Sequence, residues 1–201
     1  MVECEVVEAY FEINGFLARK NPSLPLAAGR KKIDPLPEFT VYNPKTGQNS
    51  DKLGFRLFSA DLMQVHSAQV FVLGWENTSF SNSLLSSEPR LVKFLRQEVD
   101  ASRIGCSEQE PDNAQNHPLR VLVVPALPVG LDRMNAVEQH LRKQGVQGVL
   151  TLKSIIENLF RQTLPSKLQL GGGHILQLLQ MLKSYDLFRD PQLDMFEDNK
   201  I

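Results

Sequence analysis

The sequence predicts an α/β (α+β) protein with a mixed β-sheet flanked by helices. Three observations carry that expectation. The N-terminal segment has the 3.6-residue period of an amphipathic helix. Strand-like runs then follow one another with polar turns between them, the pattern of an antiparallel meander. In the second half an apolar strand, an amphipathic helix and another apolar strand succeed each other. That series is a parallel βαβ unit with a right-handed crossover.

Taken in order, Val6, Val7, Tyr10, Ile13, Asn14 and Leu17 recur near i, i+3, i+4 and i+7, while Glu5, Glu8 and Glu12 lie off the apolar stripe. Gly15 suits the helix end, and Phe16-Leu17-Ala18 starts a strand. NPSLPLAAGRKK is rich in turn residues. In IDPLPEFTVY, Ile33 to Tyr42, the segment Phe39–Tyr42 has strand composition. Pro35 and Pro37 cannot donate to a ladder, so the front half is an edge or irregular. NPKTGQNSDKLG reads as a polar turn, and FRLFSADLMQV and AQVFVLGW complete the meander. ENTSFSNSLLSSEPR reads as loop.

The next helix, PRLVKFLRQEV, places Leu91, Phe94, Leu95 and Val99 on one stripe, with Pro89 near its start. DASRIGCSEQEPDNAQNHP has almost no apolar content and reads as an exposed insertion over residues 100–118. LRVLVVPALP is a strand buried on both faces. LDRMNAVEQHLRKQG is a helix with Met134, Val137 and Leu141 inward and Gly145 as its stop, and VQGVLTL is the paired strand. Ile155, Ile156, Leu159 and Phe160 mark another helix. Gly171-Gly172-Gly173 is a linker turn, since no Lys-Ser/Thr follows it as in a P-loop. The last helix aligns Ile175, Leu178, Leu179, Leu182 and Tyr185. We place everything in one domain, 1–201: a core over 1–130, a βαβ and helical part over 131–190, and a tail over 191–201.

Composition narrows the function classes. Hydrophobic residues make up 42% of 201, enough for a real core. A net charge of -1 is not the footprint of a protein held to nucleic acid by bulk charge, although it leaves room for a local basic patch. Cys4 and Cys106 stand in no CxxC pair and read as two reduced thiols. His66, His117, His140 and His174 are scattered without ligand spacing, and no Ser or Cys carries a nucleophile motif. The start MVECEVVEAYFEINGF lacks the basic run and apolar stretch of a signal peptide, and no apolar run approaches the ~20 residues of a membrane span. The expectation is a cytoplasmic protein without a membrane partner.

The order α-β-β-β-α-β, the run GRKKIDPL and the strand AQVFVLGW together resemble the restriction-endonuclease-like (PD-(D/E)XK) nuclease superfamily over about residues 2 to 130. GRKKIDPL is similar to the basic run and strand Asp of those nucleases, and AQVFVLGW to the later strand that carries Glu-x-Lys. VEAYFEINGF is similar to their first helix. The resemblance implies a site in which carboxylates hold Mg²⁺ through hard oxygen contacts and the metal lowers the pKa of an attacking water. The lysine stabilises developing negative charge. Glu and Lys stand two apart because alternate strand residues share a face.

Set on this chain, the pattern leaves Asp34 in place of the first Asp, but puts Phe71 at the Glu position and Leu73 at the Lys position. Neither hydrocarbon binds a hard cation. The resemblance therefore implies a catalytically inactive, nuclease-like binding or structural module with no resident metal or cofactor. The alternative is a nuclease with a rearranged site on Asp34, Glu76 and a first-helix acid, Glu8 or Glu12, and only that reading calls for Mg²⁺. Nucleic-acid contacts would fall on Arg30, Lys31 and Lys32, with Arg19 and Lys20 beside them, and on Trp75 for stacking. The plainer meanings are a solvated charge run and a tryptophan that caps the core. A third reading is an α/β subunit that acts through a protein partner bound at the apolar C-terminal helix.

Overall fold

The computed structural model describes residues 1–22, 36–50, 52–101, 117–163, 173–185 and 187. Arg30, Lys31, Lys32, Asp34, most of the insertion and the tail lie outside them. Helix α1 (Val2–Ile13) leads into β1 (Leu17–Lys20), β2 (Glu38–Tyr42) and β3 (Ser67–Val72). Helices α2 (Asn82–Leu85) and α3 (Glu88–Ala101) precede β4 (Leu119–Val124). Then come α4 (Leu131–Lys143), β5 (Gly148–Thr151), α5 (Leu152–Gln162) and α6 (His174–Ser184).

The five strands form one mixed sheet in chain order, β1-β2-β3-β4-β5. β1, β2 and β3 pair antiparallel, while β3, β4 and β5 pair parallel. The change falls where the connections become helical, because a parallel return needs a crossover. No helix among the described residues is long and apolar enough to cross a membrane.

Strand alternation separates two cores. Phe39, Val41, Val70, Val72, Val121, Val123 and Leu150 point to one face and meet α1, α5 and α6. Phe71, Leu73, Leu122, Val124 and Val149 point to the other and meet Leu91, Phe94, Leu95 and Val99 of α3 and Val137 and Leu141 of α4. The predicted inward positions of α3 are therefore those observed, and Met134 of α4 is only half-buried.

Polar groups lock the helices of the first core. Thr151 caps α5 by accepting from Ser154 N–H at 3.2 Å. Asn14 donates to Asn158 Oδ1 at 3.1 Å, and Gln162 donates to Asn14 Oδ1 at 2.9 Å, so α1 and α5 share an amide network. Lys183 of α6 donates to the carbonyls of Phe160 and Thr163 at 3.1 and 2.9 Å, closing the C-terminus of α5.

Three elements differ from expectation. FRLFSADLMQV does not join the meander, because β2 and β3 pair directly. Its front crosses to the far edge, where Arg56 bridges Val149 in parallel. Val149 N–H donates to Phe55 O at 2.7 Å, and Leu57 N–H donates to Val149 O at 2.9 Å. Phe55 enters the second core and Leu57 the first, so the strap bends away from strand alternation as it covers the free edge of β5. The rear half winds into a short 3₁₀ turn, Asp61–Gln64. The Ser/Asn-rich loop contains the single turn α2, where Leu84 and Leu85 find partial burial against the second core. In α6 the buried centre is Leu176 and Leu179, while Leu178 and Tyr185 are exposed.

Candidate functional site

The end of β3 and the loop after it hold Phe71, Leu73, Trp75 and Glu76. Leu73 extends the strand by one residue, its N–H donating to Val123 O at 2.9 Å. Its side chain is fully buried and Phe71 is 6% exposed. Both pack in the core under α3 and α4. Positions 71 and 73 therefore share a face, as alternation requires, and that face is filled with hydrocarbon.

Sequence reasoning missed the acid that stands opposite. Glu38 pairs directly with Phe71 across β2–β3 and accepts from Asn21 Nδ2 at 2.7 Å. The described strand begins at Glu38, four residues beyond Asp34, whose position lies outside the described residues. A readable signal existed: Pro35 and Pro37 delay the ladder, so Glu38 is the first residue free of proline restriction.

The sharp end of β3 has a cause in a distant helix. Glu3, in the first turn of α1, accepts from Trp75 N–H at 2.7 Å and from Glu76 N–H at 3.3 Å. A Cβ on Gly74 would sit 1.8 Å from Glu3 Oε2, so only glycine admits the carboxylate here. The loop also closes on itself. Asn77 accepts from Gly74 N–H and donates to Val72 O, both at 2.7 Å, and Thr78 donates to Gly74 O at 2.7 Å. Trp75 is 44% exposed and meets Phe80 edge-on at 5.1 Å, and Phe80 meets Phe94 at 5.8 Å. It forms the rim of the second core and keeps one side open.

Of the rearranged-site acids that are described, Glu8 and Glu12 do not gather with Glu76 around this loop. Glu76 Oε2 accepts from Val2 N–H at 3.2 Å, at the start of α1. Glu8 and Glu12 lie about 9 and 15 Å further along the helix axis, at 1.5 Å per residue. Burial raises the Glu12 carboxyl above its ordinary value, with a further push from Glu8. Among the described residues, no group of three or more His, Cys, Asp or Glu is placed to hold a metal ion. Cys4 is buried beside this end of α1, and burial pushes its thiol pKa up, the opposite of an activated nucleophile. Arg19 and Lys20 are exposed on β1.

Replacing Glu3 by alanine leaves two loop N–H groups without an acceptor. Glu3→Ala is expected to cost about 1 kcal/mol in urea unfolding, since these bonds are partly open to solvent. Because Trp75 is the sole tryptophan, its emission reports the loop directly: a red shift and lower anisotropy are expected in the folded variant. Unchanged emission would mean that Glu3 does not hold the loop. Comparison with family models, with curated proteins and with solved structures finds no match to this chain.

Proposed function

We propose that this protein is a non-catalytic relative of the restriction-endonuclease-like nucleases that serves as a binding or structural module. One observation carries the reading. Phe71 and Leu73, where that chemistry needs a carboxylate and an ammonium, are buried among the side chains of α3 and α4. The order α1-β1-β2-β3-α3-β4, with β3 and β4 parallel after an antiparallel meander, supports it. A hard divalent cation needs several oxygen ligands, and two hydrocarbons supply none.

The test is direct. Single- and double-stranded DNA and RNA are incubated with the full chain and Mg²⁺ or Mn²⁺. The expected result is no cleavage above the protein-free control. Metal-dependent cleavage that disappears in Asp34→Ala or Glu76→Ala would overturn the reading in favour of a rearranged nuclease.

A further inference from the structure

Among the described residues, α3 and α4 cover only part of one face of the sheet. α3 and α4 close over Phe71, Leu122 and Val149, which stand in register across β3, β4 and β5. One row toward the start of β3, Arg19, Thr40, Gln69 and Arg120 stand opposite one another across four strands. Gln147 continues that row. Its N–H donates to Arg120 O at 2.8 Å, and its Oε1 accepts from Arg120 N–H at 2.9 Å. The next row on the same face holds Leu17, Tyr42 and Ser67. Leu17 is 66% and Tyr42 43% exposed, with the Tyr42 ring braced against His66 at 4.9 Å.

A cleft of about 410 Å³ opens at the β4 end of these rows, lined by Gln69, His117, Arg120, Arg142 and Gln147 among others. Its walls are built. Asn49 donates to the carbonyls of Ser67 and His117 at 3.2 and 3.1 Å. The Arg142 guanidinium lies 4.8 Å over the Phe55 ring, on the strap that flanks β5. Three guanidinium groups thus serve this face. Among the described residues, Glu38 and Glu138 border it: Glu38 accepts from Asn21, and Glu138 pairs with Arg142 at 2.8 Å.

Spacing tells what kind of anion fits. Arg19 and Arg120 are three strand separations apart, about 14 Å, beyond the reach of a single phosphate. The cationic row and the Tyr42 row are two residues apart along the strands, about 7 Å. A chain of phosphates that carries flat rings to one side matches both rows at once. We propose that this open half-face holds a single-stranded nucleic acid. One phosphate enters the cleft against Arg120 and Arg142, the backbone runs along the row toward Arg19, and a base stacks on Tyr42. A duplex hides its base faces and offers Tyr42 nothing to stack on. Phosphate contacts and stacking carry little sequence information, so the preference is for strandedness over sequence. The proposal rests on the binding-module reading, whose ligand it names, yet the two fail separately. Cleavage overturns that reading, and absent or misplaced strand binding overturns this one.

The experiment is fluorescence anisotropy of the full chain with labelled mixed-sequence DNA and RNA strands of about 15 nucleotides, near the upper site size of single-strand binders. The strand is expected to bind, and its annealed duplex, inorganic phosphate and a mononucleotide are expected to compete poorly. Three phosphate contacts predict a log–log salt slope of about -2. Tyr42→Ala should weaken binding about tenfold through lost stacking, and Arg120→Gln with Arg142→Gln should weaken it at least as much. Arg19→Gln, at an exposed edge, tests the far end of the row without risk to the fold. No strand binding at low salt overturns the proposal. So does binding that survives both Arg19→Gln and Tyr42→Ala, or equal affinity for the duplex.

Discussion

Placing on β3 the charges that nuclease chemistry needs is expected to unfold the protein and create no nuclease. Leu73→Lys places an ammonium at a fully buried position, and Phe71→Glu places a carboxylate where exposure is 6%. Their surroundings are Leu91, Phe94, Leu95, Leu122 and Val124, which offer no hydrogen bond. A carboxylate at 71 also stands directly opposite Glu38, a like-charge cross-strand pair. An unpaired buried charge costs several kcal/mol. The two sites are two residues apart on one face, so their mutual attraction returns part of that cost. The double variant should still lose about 5 kcal/mol, comparable with the whole stability of many domains. Circular dichroism and urea unfolding read this directly. The control pair Phe71→Leu and Leu73→Met keeps the site apolar and should cost far less, about 1.5 kcal/mol or under for the near-isosteric change at 73. A double variant that folds with near-parental stability would show that the face is open to water and not filled with hydrocarbon.

The parts of the fold that were legible are those where a local period admits one answer. From Val121 to Val124 the unbroken apolar run specifies a strand covered on both sides, and this part of β4 is. For α3, four apolar residues on one stripe and a polar remainder leave a single inward face. In α6 the same method falters, because HILQLLQML is apolar on nearly every side. Several stripes fit it equally well, and packing against α1 and α5 selects the one centred on Leu176 and Leu179. The parallel pairing of β4 and β5 was legible as a βαβ unit, but the partner of the strap was not. The alternation in Phe55-Arg56-Leu57 says strand, but Val149, which Arg56 bridges, is 93 positions further along the chain, 149 minus 56. Gly74 likewise reads as a strand end until Glu3 arrives from the first turn of α1. Arg19, Thr40, Gln69 and Arg120 are unremarkable one by one. Register across three strand pairs makes them a row, and register is a property of the folded sheet.

The strap at the edge of β5 should be the second point of large effect, and its two key residues should not act independently. A Cβ on Gly148 would lie 2.6 Å from Leu57 Cδ1 and 3.1 Å from Cγ. Leu57 cannot withdraw, since it is buried and its N–H is bonded to Val149 O. Gly148→Val is therefore expected to cost about 2 kcal/mol by overpacking, after the modest gain of a β-branched residue in a strand. Leu57→Ala leaves a cavity in the first core and should cost about 3 kcal/mol. In the double variant the valine methyls enter the space that the leucine vacated. The combined loss should fall short of the sum by about 1 to 2 kcal/mol, the coupling typical of residues in contact. Additivity within about 0.5 kcal/mol would mean that the two side chains do not share that space. The same strap carries Phe55, whose ring supports the Arg142 guanidinium beside the cleft. Leu57→Ala should therefore weaken single-strand binding as well as stability. Lost stability with unchanged binding in the folded variant would separate the edge of the sheet from the cleft it frames.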